Sequence, residues 1–301
     1  MYKGWLQIGF ERDIKYGINR MDIEDHSILI IKQEDSIRAF DASCPHRGAN
    51  LCDGKLIDDD FIICAFHGCH IGIGGPGREG LRIKRYASYV IGGLVFINLY
   101  DTNDNGFKKF ITELEEKCFI IPGFEMKVKA LPEMVIENAF DQMHFRTVHS
   151  ILNEPVFTGC AAPDGAYGVE GVFDIPPSKW HQKITGNKLS VPYKAFAFSP
   201  YLVVSLLAGP DPYYVITSAI PVSGKETSIR LSIAVMPDEN NMPPRIDLCQ
   251  YLLDQSKKGL ELDKKIWEGL PVKSIQKFLK AESAVIQFQQ FCKSSRHNGM
   301  E

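Results

Sequence analysis

The sequence predicts an α+β fold, in which an all-β N-terminal domain precedes a domain built on one antiparallel sheet flanked by helices. Three observations support this prediction. The first hundred of the 301 residues alternate short β-branched runs with turn-forming residues. Similar-length strand-like runs recur between positions 190 and 236, and residues 244–292 have helical patterning after two prolines. Strands followed by helices are typical of α+β domains.

In the N-terminal part, residues 28–32 and 37–40 predict two strands of a hairpin joined by the polar residues 33–36. Apolar, β-branched runs predict further strands over 61–64 and 89–99. Five glycines between positions 72 and 80 mark irregular backbone. The polar, turn-rich segment 101–106 predicts a boundary that divides the chain into residues 1–105 and 106–301.

In the second part, the apolar pattern of 135–151 predicts a helix, and the runs 201–207, 213–220 and 228–235 predict strands of one antiparallel sheet. Alternating apolar residues around the first of these strands predict the lining of a cavity. They are Val191, Tyr193, Phe196, Phe198, Leu202, Val204 and Leu206. The alternative is that these residues are simply sheet core.

Composition and charge exclude several classes of protein. Apolar residues make up 45% and charged residues 24% of the chain, which is typical of globular proteins and not of disordered or fibrous ones. The formal net charge of −3 gives no general attraction to nucleic acid or anionic membranes. The first ten residues lack a secretory-signal pattern, and no run approaches the roughly 18 apolar residues of a spanning helix. We therefore expect a cytoplasmic protein without a membrane span or a nucleic-acid partner.

Four of the eight cysteines lie between positions 44 and 69, where metal binding or burial is expected in preference to disulfides. Cys44 and His46 form a Cys-x-His pair, and seventeen residues later Cys64 and His67 form a Cys-x-x-His pair. Two thiolates and two imidazoles can hold a [2Fe–2S] cluster, with both cysteines on one iron and both histidines on the other. The alternatives are a Cys₂His₂ zinc site, which commonly pairs like ligands, and buried residues without metal.

A second group of metal-binding residue types follows at Asp141, His144 and His149. On an ideal helix the two histidines are separated by roughly 500° of rotation, so they share a side only if the helix is distorted. Two histidines and one distant carboxylate would form the facial triad of non-haem Fe(II) oxygenases, which leaves coordination positions open. The alternative is a purely structural pair of histidines.

Together these motifs resemble those of the Rieske non-haem iron oxygenases. Cys-Pro-His-Arg-Gly at 44–48 and Cys-Ala-Phe-His-Gly at 64–68 are similar to that family's two cluster-binding loops. The resemblance covers about residues 1–292, and implies an oxygenase (alpha) component with a Rieske domain and a catalytic domain of helix-grip type. Respiratory Rieske proteins carry a disulfide between the two loops. Cys52 and Cys69 do not occupy its positions, and we expect them to be small buried residues.

The family motif Asn-x-x-Asp-x-x-His-x₄-His is matched by Asn138, Asp141, His144 and His149. By resemblance, the two histidines are ligands of a mononuclear iron. Asp141 is the bridge that carries electrons from a cluster histidine, with His67 and His144 as the expected pair.

The third iron ligand is predicted from resemblance alone. Asp263, in Asp-Lys-Lys-Ile-Trp, is similar to the ligand segment of the 3-ketosteroid 9α-hydroxylase and cholesterol 7-desaturase branch. Glu282 fits the ligand position of other branches and is the alternative carboxylate.

The resemblance further implies a [2Fe–2S] cluster, Fe²⁺, O₂ as co-substrate, and electrons from NAD(P)H through a separate reductase or ferredoxin. It implies a homotrimer and a small apolar substrate, sterol-like or polycyclic. The expected reaction is monooxygenation, with desaturation or O- or N-demethylation as alternatives. A rival from a different class is an electron-transfer protein with an inactive second domain.

Overall fold

Two large antiparallel sheets and one small sheet organise the chain in the computed structural model. The structure describes residues 1–57, 60–78, 80–100, 104–176, 188–223, 226–238, 240–271 and 277–296.

The N-terminal part forms a six-stranded sheet in the order β1-β9-β8-β4-β3-β2 and a three-stranded sheet in the order β5-β6-β7. The strands are β1 (Trp5–Phe10), β2 (Gly17–Ile23), β3 (His26–Gln33), β4 (Ser36–Asp41), β5 (Lys55–Ile57), β6 (Phe61–Ile63), β7 (His70–Gly72), β8 (Arg85–Ile91) and β9 (Leu94–Asn98). The predicted hairpin is confirmed, because Gln33 pairs with Ser36 across the turn between β3 and β4.

Residues 89–99 do not form the single strand that the apolar run predicted. Gly92 and Gly93 have positive φ angles of 54° and 72°, and they turn the chain between β8 and β9. Two consecutive left-handed residues suit a tight hairpin turn, and glycine adopts this conformation at little steric cost. Because the residues on both sides of these glycines are apolar, a prediction based on hydrophobicity did not detect the turn.

The C-terminal part forms a seven-stranded antiparallel sheet in the order β10-β16-β15-β14-β13-β12-β11, with helices beside it. Its strands are β10 (Phe119–Val128), β11 (Thr158–Gly159), β12 (Tyr167–Ile175), β13 (Leu189–Ser199), β14 (Leu202–Leu207), β15 (Tyr213–Ser223) and β16 (Glu226–Val235). Its helices are α1 (Phe107–Lys117), α2 (Pro132–Glu137), α3 (Gln142–His149), α4 (Ile246–Trp267) and α5 (Ser283–Ser294). The α+β prediction is confirmed. Residues 101–103 of the predicted boundary lie outside the described residues.

Both faces of the seven-stranded sheet are buried. One face packs against the N-terminal sheet and α1, in a cluster that includes Phe96, Phe107 and Phe198. The other packs against α2, α4 and α5. The buried Arg230 links the two parts of the chain, since its guanidinium donates to the Gln7 carbonyl at 2.9 Å and to Glu125 at 3.2 Å. The first face is therefore largely filled by structural packing, whereas the largely apolar cavity described below lies on the second.

Candidate cluster loops and metal centre

The two cysteine–histidine loops have the same backbone geometry. In each, the cysteine N–H donates to the carbonyl five residues later, and the glycine four residues later donates back to the cysteine carbonyl, all at 2.8 to 2.9 Å. These glycines, Gly48 and Gly68, have positive φ angles of 75° and 68°. A side chain other than glycine is strained in this conformation, which explains why each histidine motif is followed by glycine.

The loops bring their four metal-binding side chains together at one surface. Cys44 and Cys64 are buried, with 3% and 1% exposure, whereas His46 and His67 are exposed. The two imidazole ring centroids lie 4.8 Å apart. Burial raises the pKa of the Cys44 thiol, and the neighbouring Cys64 raises it further. Buried sulfur and exposed imidazole donors suit a [2Fe–2S] cluster held with its histidine side towards the surface.

Cys52 and Cys69 are half-buried, not fully buried as predicted. The described cysteines are free, without disulfides. Cys52 lies near the backbone carbonyls of β2 and β3. Cys69 is different, because its Sγ lies 3.6 Å from Nδ1 of His46. The sequence analysis did not predict this contact. The feature that could have indicated it is that Cys69 directly follows Gly68, the last residue of the second cluster loop.

Residues 135–151 form two short helices and not the single helix that was predicted. Helix α2 ends at Glu137, a 3₁₀ turn follows, and Asp141 has extended backbone angles of −85° and 94°. Asp141 then begins α3, since its Oδ1 accepts a hydrogen bond from the N–H of Met143 at 3.0 Å. Aspartate is a favoured N-cap residue. The chain is therefore broken just before His144, which provides the distortion that the histidine spacing required.

Three potential ligands converge at the end of α3. One ligand atom from each of His144, His149 and Asp263 lies within 4.8 Å of the other two. Nε2 of His149 is 3.1 Å from Oδ1 of Asp263, which is supplied by α4. Asp263 is only 8% exposed, and its Oδ1 is buried and makes no hydrogen bond, because the contact with Nε2 of His149 lacks hydrogen-bond geometry. A buried carboxylate oxygen without a partner is costly, and a bound cation removes that cost. Two imidazoles and one carboxylate fit Fe(II) with open positions.

The orientation of His144 is fixed by Asp141. Nδ1 of His144 lies 2.6 Å from the Asp141 carbonyl oxygen and 3.6 Å from its carboxylate Oδ2. The carbonyl can only accept, so Nδ1 carries the proton and Nε2 is left for a metal. Burial lowers the pKa of His144, which favours the neutral imidazole that a metal requires.

The two candidate carboxylates are placed differently. Asp263 lies with the histidines, whereas Glu282 is absent from the group of described residues that could hold the ion. The Glu282 carboxylate accepts a hydrogen bond from the N–H of Leu279 and caps the turn before α5. Asn138 lines the cavity beside the histidines.

Comparison with known proteins agrees with this geometry. The family described as the Rieske [2Fe-2S] domain matches residues 4–87. Across 97% of this chain, the structure superposes on 96% of dicamba monooxygenase bound to 3,6-dichlorosalicylic acid, with a TM-score of 0.75 and 14% identity. The chain has a Rieske domain and the fold of the Rieske oxygenases. The resemblance inferred from the motifs is thereby confirmed.

Relatives with sequence similarity match only part of this Rieske-type chain. Cholesterol 7-desaturase of Bombyx mori is 29% identical over 160 residues, which are 49% of this chain and 35% of the desaturase. The ferredoxin component of the alkene monooxygenase system of Xanthobacter autotrophicus is 32% identical over 79 residues, which are 25% of this chain and 65% of that protein. The chain thus spans about a third of the first relative and just under two thirds of the second.

A cavity of ≈ 310 Å³ lies beside the three potential ligands, between the seven-stranded sheet and α4. Its wall is largely apolar and aromatic. Among the described helices, none has the length and apolar character needed to cross a bilayer.

The predicted lining of this cavity was wrong for five of the seven residues. Val191 and Tyr193 do line it, but β14 contributes Val203, Ser205 and Leu207. The other predicted residues belong to the opposite face. Phe196, Phe198, Leu202 and Val204 pack towards α1 and the N-terminal sheet, and Leu206 has the same strand parity. Since both faces of the sheet are apolar, alternation could not show which one meets the cavity.

Proposed function

We propose that this chain is the terminal oxygenase component of a Rieske oxygenase system, which uses O₂ to oxidise an apolar organic substrate. The observation that carries the proposal is the convergence of His144, His149 and Asp263 beside a largely apolar cavity, with a buried carboxylate oxygen that makes no hydrogen bond. In the monooxygenation, one oxygen atom enters a C–H bond. The other is reduced to water with two electrons and two protons.

The two metal sites divide this task. When bound, the cluster would supply single electrons and the iron, with positions open, would bind and reduce O₂. The protein's own residues hold these groups apart from solvent and position the substrate. Cys44 and Cys64 anchor the buried side of the cluster, and the exposed His46 and His67 present its other side to a partner. The apolar cavity wall excludes water from the oxidised carbon.

Asp141 is suited to connect the two sites. One of its oxygens caps α3, while the other lies 3.6 Å from Nδ1 of His144. We propose that this second oxygen, Oδ2, accepts a hydrogen bond from a cluster histidine, and we assign that histidine as His67. Asp141 would thus orient both metal-bound rings, because its carbonyl accepts the N–H of His144 and its Oδ2 would accept the N–H of the cluster histidine.

We assign that cluster histidine to a neighbouring copy of the chain in a homotrimer. The exposure of His46 and His67 supports transfer between molecules. Similarity to the ferredoxin component of a monooxygenase system supports electron delivery by a separate reductase or ferredoxin, ultimately from NAD(P)H. A cytoplasmic location is consistent with free cysteines near the cluster.

The substrate that we propose is sterol-like or polycyclic, and the outcome is most simply monooxygenation. Partial similarity to a cholesterol 7-desaturase supports desaturation as a second candidate reaction. Demethylation requires the same site and begins with oxidation of a methyl C–H bond. An electron-transfer protein with an inactive second domain is disfavoured, because such a protein has no need of three convergent ligands beside a cavity.

Iron content and EPR test the proposal. Protein purified anaerobically should be brown, show the reduced-state EPR signal of a mixed-ligand [2Fe–2S] cluster, and contain about three iron atoms per chain. About two irons per chain, with no O₂ consumption when a reductase is added, would instead identify an electron-transfer protein. A colourless protein that contains zinc would refute the cluster.

A further inference from the structure

The cavity has a polar end remote from the metal centre. Gln255 and Ser256 line it from α4, and Tyr213 lines it from the start of β15. Ser256 lies close enough to Tyr213 to interact with its phenol. Gln255 is eight residues before Asp263 on α4, so the two side chains start roughly 12 Å apart along the helix axis.

The packing of α4 confirms that these residues mark opposite ends. Leu252 packs in a cluster with Tyr213 and the end of β16. Leu260 and Trp267 pack in a different cluster, with Val203. The helix therefore runs along the cavity from the polar end to the metal end, and the wall between them is mostly apolar.

Among the described residues, the cavity wall away from the three potential ligands offers no charged group to pair with an ionic substrate. Among the described residues that line it, none is Lys or Arg, and Asp263 is the acid. Charged neighbours on α4 are directed elsewhere. Asp254 accepts a hydrogen bond from Gln250 at 2.9 Å, and Lys257 lies over the ring of Phe124. Lys258 lines a separate groove on the surface. An ion at this polar end would lose hydration without gaining a charged partner among the described residues there.

Gln255 is the group best placed to recognise a neutral substrate. It is exposed at the polar end, which places it at the cavity mouth. Its amide makes no hydrogen bond to another described group in the structure, so both its donor and its acceptor are free for a ligand. A carbonyl or hydroxyl group on the substrate can exchange water for this amide at little cost.

We propose that the site takes an uncharged, elongated, largely apolar substrate, whose one hydrogen-bonding group is bound by Gln255 at the end opposite to the oxidised carbon. The statement that the end near the metal centre is the one oxidised rests on the proposed function. What is new is the charge and the polarity of the substrate and the direction in which it binds.

Three rigid probes of similar shape test the proposal by isothermal titration calorimetry with the metal-loaded protein, in the absence of reductant. They are 4-acetylbiphenyl, its apolar isostere 4-isopropylbiphenyl, and the anion biphenyl-4-carboxylate. The ketone should bind roughly 3- to 10-fold more tightly than the isopropyl compound, as expected for one neutral hydrogen bond. The carboxylate should bind on the order of 100-fold more weakly than the ketone.

Variants of Gln255 separate recognition from general affinity. Gln255→Leu should remove the preference for the ketone while it retains affinity for 4-isopropylbiphenyl. Gln255→Lys should improve binding of the carboxylate by at least 10-fold, because it supplies the missing cation. Gln250→Leu, on the same helix but outside the cavity, should leave all three affinities unchanged. Tight carboxylate binding by the unaltered protein, or an unchanged ketone preference in Gln255→Leu, would overturn the proposal.

The binding assay tests substrate recognition, and the turnover assay separately tests the oxygenase function. If the probes bind in the predicted order but reduced protein with O₂ forms no product, then the proposed oxygenase function is wrong and the recognition stands. If the carboxylate is the probe that binds and is oxidised, the oxygenase function stands and this inference is wrong.

Discussion

At the scale of single residues, Asp141 has two roles that one substitution can separate. It caps α3 through Oδ1, and Oδ2 faces His144. Asp141→Asn preserves the cap, since asparagine is an equally good N-cap residue, but removes the charge and one acceptor. We expect both metals to bind and the cluster to be reduced normally by dithionite, while substrate oxidation falls by at least 100-fold.

Rapid mixing of the reduced Asp141→Asn protein with O₂ and substrate measures this effect directly. Cluster reoxidation should slow far more than in the unaltered protein. If Asp141 served only as a helix cap, the variant would reoxidise its cluster at the normal rate.

Asp263 and Glu282 can be compared as a matched pair of acidic residues near α3. Asp263→Ala removes the carboxylate that converges with His144 and His149 and should reduce iron content from about three to about two atoms per chain. Turnover should be lost, and the cluster spectrum should not change. Glu282→Ala removes a cap and should keep its iron. Loss of iron in the Glu282 variant alone would reverse the ligand assignment.

Cys69 and Cys52 form a second pair, with one thiol at the cluster loops and one away from them. The Cys69 thiol lies 3.6 Å from His46, and a polar S–H so close to the cluster stabilises its reduced, more negative state. Cys69→Ala should therefore lower the midpoint potential of the cluster, as measured by a spectroelectrochemical titration. Cys52→Ala should leave the potential unchanged, and equal shifts in both variants would refute the assignment.

At the scale of elements, α2 carries a buried acid, Glu137, whose deprotonation destabilises the folded state as pH rises. Burial, together with the nearby Asp141, Glu133 and Glu282, raises the pKa of Glu137 from 4.5 to about 7, against a hydrogen bond from Gln289 that lowers it. The folded state therefore holds a proton that the unfolded chain releases above pH 4.5. Stability is lost as pH rises from about 4.5 to about 7, and the loss is complete above that range.

Glu137→Gln removes this pH-dependent loss of stability and keeps a side-chain oxygen that accepts the hydrogen bond from Gln289. Its unfolding free energy should exceed that of the unaltered protein by about 1–3 kcal/mol at pH 8, and the difference should disappear below pH 4.5. Urea denaturation at both pH values measures it. Glu116→Gln, at an exposed position on α1, should show no such pH-dependent gain.

The elements also show how far sequence reasoning extends. Ligand spacing predicted two candidate metal-binding groups whose side chains the structure brings together, because a metal imposes residue types and intervals that are independent of packing. The turn at Gly92 was missed because the residues on both sides of it are apolar, and the break at Asp141 was missed because hydrophobic periodicity does not detect such a short interruption. The cavity face of β14 was assigned wrongly for a related reason. Burial of both sheet faces is a tertiary property, and no local pattern records which face is closed by the N-terminal sheet.

At the scale of the whole molecule, the electron path depends on how copies of the chain assemble. The cluster loops expose His46 and His67 together with Phe66, which is 61% exposed. Exposed hydrophobic residues also surround α3, namely Met143, Leu152 and Val156. Exposed apolar side chains beside both halves of an electron path are expected where one molecule docks on another.

Mixing two inactive variants tests whether the path crosses between subunits. Cys64→Ser should disable the cluster but retain the mononuclear iron, and His149→Ala should do the reverse. In a head-to-tail ring, the heterologous contact joins the cluster of one copy to the iron of the next, so a mixed trimer contains a working pair. Coexpression of the two variants should therefore restore substrate oxidation that neither variant shows alone.

The strength of this test is that the two possible paths give opposite results. If electrons moved only within one chain, every chain in the mixture would lack one of the two metal sites, and no assembly would be active. Size-exclusion chromatography and separate iron assays establish the oligomeric state and the metal content of each variant. Restored activity should also disappear when Asp141→Asn is added to the Cys64→Ser chain, which provides the iron, but persist when it is added to the His149→Ala chain, because the bridge belongs to the subunit that holds the working iron.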